Sequence, residues 1–137
     1  MPNMTDQARV ASIMNAILHG GSAPVYPTAL TLRLMTAQGS NSSNGTEATA
    51  GNCPGYTAGG VPVTFGAQSA GISSSSGTPS WTASGSWATI TACEIWDTAG
   101  TPLRWLQGAL TASITGVSNG DTVQFASAAV TANASAW

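Results

Sequence analysis

The run Trp87-Ala88-Thr89-Ile90-Thr91-Ala92-Cys93-Glu94-Ile95-Trp96-Asp97 decides the fold class. It is the longest β run in the chain. With a period of two, Ala88, Ile90, Ala92, Glu94 and Trp96 face one way, and Trp87, Thr89, Thr91, Cys93 and Ile95 the other. Apolar groups on both faces predict a central strand. Gly85-Ser86 turns into it, and Asp97 to Pro102 reads as the hairpin loop that leaves it.

Working outward, the same alternation recurs in shorter pieces. Leu30, Leu32 and Leu34 alternate with Thr31, Arg33 and Met35, the mark of a half-buried strand. Val61, Val63 and Phe65 form another, with Pro62 arguing for an edge or a bulge. Ser73 to Gly77 reads as a flexible turn, and Trp81 begins a short strand. Leu103–Leu106 and Leu110–Ile114 follow, broken by Gly108. Asn119-Gly120 carries the signature of a type I′ hairpin. Val123, Phe125 and Val130 belong to the last strands.

Upstream the period is different. Val10, Ile13, Met14, Ile17 and Leu18 recur at i, i+3, i+4, i+7 and i+8, which predicts an N-terminal amphipathic helix over 4–19. Asn3 or Thr5 caps it, Asp6 suits its first turn, and Gly20-Gly21 ends it. The fold expected is mainly β: one domain, 1–137. Its N-terminal helix (1–21) precedes an antiparallel β-sandwich or rolled barrel of seven to eight strands (22–137). A long loop, 36–60, rich in Gly, Ser and Asn, is expected to be irregular and to serve as a contact arm ordered by neighbours.

Charge is scarce. Charged residues make up 6% of the chain, and lysine is absent, against about 25% charged in ordinary domains. Soluble monomers usually rely on a charged surface, so this composition suits a protein that lives in an assembly. A Thr/Ala/Gly-rich composition reflecting a GC-rich genome is an equal and compatible reading. Arg9, Arg33 and Arg104 form no basic stripe, which argues against nucleic acid as a partner. No stretch approaches the roughly 18 apolar residues of a membrane span. Nothing reads as a signal peptide, so synthesis in a cytoplasm is expected.

The candidate chemistry is thin. Cys53 and Cys93 are too few for a disulfide scaffold or a zinc site. One disulfide between them and two small, partly buried thiols both remain open. His19, the sole histidine, ends the helix, where a capping or surface role outweighs catalysis. Glu94 and Asp97 lie three apart on a strand and point to opposite faces, so they cannot work as a glycosidase pair. Glu94 reads as a strand-partner contact, Asp97 as an Asx turn cap, and Asp121 as a turn residue bonding backbone. No catalytic, metal or cofactor residue is assigned, and the chain is not expected to be an enzyme. Trp81, Trp87, Trp96, Trp105 and Trp137 are read first as core or interface residues. Sugar binding is the alternative. Trp137 in particular reads as an anchor on a neighbouring chain.

Several stretches together carry a resemblance. Leu30-Thr31-Leu32-Arg33-Leu34-Met35-Thr36 matches a strand of "LYLALFT" character. Gly45-Thr46-Glu47-Ala48, Gly55-Tyr56 and Val61-Pro62-Val63-Thr64-Phe65-Gly66 follow a "GTEVSGGGYARVPVTF" pattern. Trp87 to Thr91 and Ile95 to Gly100 follow "W-G-x-V-T-x-x-x-I-x-D-A-x-x-G". Gly108-Ala109-Leu110-Thr111 and Gly120-Asp121-Thr122-Val123-Gln124-Phe125 follow "GALT…GDTVxF". In this order, over nearly the whole chain, they resemble a family of small virion structural proteins of tailed bacteriophages. The chain departs from that pattern at Gly59 and Gly60, where a basic residue is usual after the tyrosine, and at residues 50–55. The resemblance implies a virion component that packs against copies of itself and other virion proteins, major capsid or tail proteins. Capsid decoration or a minor capsid role is the first expectation, a tail or fibre component the second. A carbohydrate-binding (cell-wall) module is the reading from another class. Asn44, Glu47, Tyr56, Trp105 and Trp137 are the expected interface residues.

Overall fold

The computed structural model describes residues 7–22 and 27–133. Its centre is the strand that the alternation singled out. β6 (Ile90–Asp97) pairs antiparallel with β1 (Leu30–Ala37) on one side and with β7 (Arg104–Ile114) on the other. The register sets Leu32 opposite Ile95 and Leu34 opposite Cys93. These side chains share one face with Val61 and Val63 of β3 (Val61–Phe65), which pairs with the first half of β1. Successive side chains alternate, so Arg33, Glu94 and Gln107 are sent together to the other face.

The sheet continues through β4 (Ile72–Ser76) to β9 (Thr131–Asn133), giving the path β7-β6-β1-β3-β4-β9, with β2 (Thr46–Glu47) also on β1. A second layer is the pair β5 (Ser80–Thr82) and β8 (Thr122–Gln124), which sets Trp81 opposite Val123. Between the layers, Tyr56 stacks on Trp81 at 6.0 Å and meets Trp87 edge-on at 6.3 Å. Phe125 meets Trp81 edge-on at 6.3 Å. Leu32, Leu34, Ile90 and Ile95 are buried beside them. The result is mainly β, a nearly closed antiparallel barrel or sandwich, as expected.

Several details differ from expectation. The described residues form nine strands instead of seven or eight. The extra ones are short, and one, β4, lies in the Ser73–Gly77 stretch read as a turn; pairing with β3 and β9 overrides the weak strand preference of serine there. β3 is an internal strand, not an edge. Pro62 is tolerated because it sits where β3 pairs with β1 and before the residues that pair with β4. Asn119-Gly120 is not a type I′ hairpin. Only Gly120 has positive φ, at 89°, Asp121 N–H donates to Ser118 O at 3.1 Å, and β8 pairs with β5 instead of the strand before it.

The expected N-terminal amphipathic helix is also not supported in the form given. Residues Gln7–Leu18 form α1, but Met14, Ile17 and Leu18 are 42%, 70% and 64% exposed. A 3.6-residue period says which residues share a face; it does not say that anything covers them. The proposed caps Asn3, Thr5 and Asp6 lie outside the described residues.

The largest revision concerns the 36–60 loop. β1 extends into it as far as Ala37, and β2 pairs with the end of β1. Ala48, Cys53 and Tyr56 are buried in the chain's own core. Gly60 has a φ of +78° and lies so close to the Leu32 carbonyl that a Cβ there would collide with it. The loop is therefore folded onto its own sheet, and the residues that hold it form the site described next.

Candidate functional site

The outer face of β1, β6 and β7 carries charges that the strand period put there. Of eight charged side chains, three arginines and five acids, four gather on this face: Arg33, Glu47, Glu94 and Arg104. Arg104 Nη1 lies 3.1 Å from Glu94 Oε1, and the pair is almost wholly enclosed. Such a pair is tolerable only when its remaining donors and acceptors are used. Here they largely are. Glu94 Oε1 also accepts the Gly45 N–H at 2.7 Å, and Oε2 accepts the Trp96 indole N–H at 2.9 Å. Arg104 donates from Nη1 to Ser43 O at 2.7 Å and from Nη2 to Ser40 O at 2.6 Å. One guanidinium thus grips both ends of the Ser40–Ser43 turn while its partner carboxylate holds Gly45.

The second half of the cluster holds the next part of the loop. Glu47 Oε2 pairs with Arg33 Nη1 at 3.1 Å, and Oε1 accepts the Tyr56 hydroxyl at 3.0 Å and the Gly59 N–H at 2.7 Å. Tyr56 Oη in turn accepts the Leu34 N–H at 3.2 Å. The Arg33 guanidinium lies 4.3 Å over the Trp96 ring, which joins the two halves by a cation–π contact. Burial pushes the Tyr56 hydroxyl well above the usual phenol range. The Leu34 N–H opposes this, and the neighbouring Glu47 carboxylate adds to it. The phenol therefore stays a donor to Glu47.

The cysteines, Asp97 and Asp121 play no part in this cluster. Cys53 and Cys93 are buried free thiols, not a disulfide. Burial raises both, Cys93 to about 11 with the Glu94 charge contributing, so neither is an activated nucleophile. Asp97 points to the opposite face from Glu94 and caps its turn: Oδ1 accepts from Ala99 N–H at 3.3 Å and Leu103 N–H at 2.9 Å. That is the Asx role expected of it. Asp121 Oδ2 accepts the Ser118 N–H at 2.8 Å, and His19 is exposed.

Of the expected interface residues, the cluster unites two, Glu47 and Tyr56. Asn44 is exposed on the gripped loop. Trp105 lies apart, its indole N–H bonded to Asp97 Oδ2 at 3.0 Å. Trp137 lies outside the described residues. Sequence reasoning missed Arg33, Trp96 and Arg104. The signal available was the register itself, which brings Arg33 and Glu94 face to face once the two leucine- and isoleucine-bearing faces are paired.

Over residues 4–133 the chain matches the family model described as "Podophage GP4 fiber I protein gp80". The chain belongs to this Gp80 fibre-protein family. No curated protein matches it. Gp80 membership bears out the resemblance to phage virion structural proteins, and it fits the tail or fibre expectation. It lends no support to capsid decoration. The four-charge cluster lies within the matched span of this Gp80 chain, so the loop it holds is part of the family domain.

Proposed function

We propose that this chain is a structural component of the phage tail fibres and acts by packing against copies of itself and other virion proteins. The observation that carries this reading is the match of residues 4–133 to a podophage fibre family. The physical chemistry is consistent with it. Half of the few charges are paired with one another and fix the 36–60 loop. A loop already ordered by its own sheet brings a ready-made contact surface to a partner, without the roughly 1–2 kcal/mol per residue that ordering a free loop costs.

The glycan-binding alternative gains little from Trp81, Trp87 and Trp96. Trp81 and Trp87 are buried in the core, and Arg33 covers the ring of Trp96. The test is fractionation. Particles are dissociated, heads are separated from tails with their fibres, and each fraction is searched for peptides of this chain by mass spectrometry. Peptides confined to the tail and fibre fraction are expected. Peptides confined to the heads would return the reading to capsid decoration.

A further inference from the structure

Two apolar surfaces of the chain stay uncovered. The first is on α1. Met14, Ile17 and Leu18 stand at i, i+3 and i+4, so they form one patch on its last turns. All three are exposed, and no described strand lies broadly against the helix. The second is a pocket of about 230 Å³ in the barrel, walled by Leu30, Phe65, Ile95, Trp105 and Leu106. Ser73 contributes the one hydroxyl in its lining, and no charged side chain lines it. A wall of this kind suits an apolar side chain and offers a sugar or an ion few partners. An apolar cavity of about 150 Å³ already holds a benzene molecule, so this pocket has room for Leu18 and much of Ile17.

We propose that α1 of one copy seats Ile17 and Leu18 in this pocket of a second copy, with Met14 closing over the rim. The i, i+3, i+4 spacing is that of a helix laid into an apolar groove. Within one chain both surfaces stay open. With 6% charged residues, the chain has little charge to keep such surfaces soluble apart. Covering each with the other takes both out of water. Pairing α1 with α1 of another copy would do this less well. The helix has 12 residues, whereas a coiled-coil seam runs over at least about three heptads. The contact specifies the self-packing proposed above and rests on that reading, but not on where in the particle the copies stand.

The test is sedimentation equilibrium of the full chain over about a hundredfold range of concentration. The unaltered chain should self-associate. Ile17→Gln with Leu18→Gln puts good helix formers at exposed positions, so melting of the dilute protein should be unchanged. Association should weaken by about a hundredfold or more. Ala132→Phe fills the pocket from its own wall and should weaken association likewise. A photoreactive benzoylphenylalanine in place of Leu18 gives a reading that needs no pocket variant. In a mixture of heavy-isotope and unlabelled chains, its cross-links should end on peptides of the other isotope that carry Phe65, Trp105 or Leu106. A monomer at every concentration, or association unchanged by the paired Gln substitutions, would overturn the proposal. So would cross-links confined to one isotope, or ending on α1 of another copy. Any of these results would leave the fibre assignment to the fractionation described above.

Discussion

Arg104 and Glu94 meet across β7 and β6 with 3.1 Å between Nη1 and Oε1, and only 2% and 1% of the two side chains are exposed. Taking two charges out of water costs several kcal/mol per ion, so the pair adds little net stability by itself. What it does is select one position for the loop, because the same two groups hold Ser40, Ser43 and Gly45.

Removing one partner should therefore be far worse than removing both. Arg104→Met leaves the Glu94 carboxylate buried without its cation, at an expected cost of about 3–5 kcal/mol in denaturant unfolding. It also frees the Ser40–Ser43 turn, so limited proteolysis should cut within residues 39–45 much faster than in the unaltered chain. Glu94→Gln combined with Arg104→Met should recover part of the stability while the loop remains susceptible. Equal cleavage rates in the unaltered chain and Arg104→Met would show that something else holds the loop.

Tyr56 gives the cluster a pH signature. Its folded pKa lies above the ordinary value of 10.0, chiefly through burial. The fold thus favours the protonated phenol, and the corresponding stability is complete below pH 10 and is lost as pH rises beyond it. Cys93, raised from 9.0 to about 11, acts in the same direction from about pH 9 upward. Stability measured by denaturant titration should fall with alkaline pH, and less steeply in Tyr56→Phe. At neutral pH that variant should lose about 1–3 kcal/mol, because Glu47 and the Leu34 N–H each lose a partner. Identical alkaline slopes would place the phenol's titration elsewhere.

Gly39 tests how closely the loop is packed. A Cβ there would lie 2.5 Å from Gly45 N, 2.6 Å from Ser43 O and 2.7 Å from Arg104 Nη1. Two of those neighbours are backbone and cannot swing away, so Gly39→Ala should cost about 1–3 kcal/mol. Gly100 has nothing within 4 Å of its would-be Cβ, and Gly100→Ala should stay within about 0.5 kcal/mol. Thermal melting of the two variants side by side gives the comparison.

The sequence announced the central strand and its neighbours because their alternation is strong and β6 carries apolar residues on both faces. It also placed Glu94 against a strand partner and Asp97 in its turn, since an acid in a strand must find a donor. The loop was harder. Residues 36–60 are rich in Gly, Ser and Asn, and local composition says only that they prefer turns. What orders them is the pairing of distant residues, Arg104 with Ser40 and Ser43, and Tyr56 with Glu47 and Leu34. No window of neighbouring residues contains that information. α1 failed in the opposite way: its local periodicity was clear, but burial depends on a partner surface that the period does not specify.

The most direct test of the fibre role is a cryo-electron microscopy reconstruction of the phage particle, searched with this fold. The β7-β6-β1-β3-β4-β9 sheet, with the 39–45 loop held against its outer face, should fit density in the tail fibres, in contact with copies of the chain or other fibre proteins. Density for the same fold on the capsid surface, and none in the fibres, would contradict the assignment.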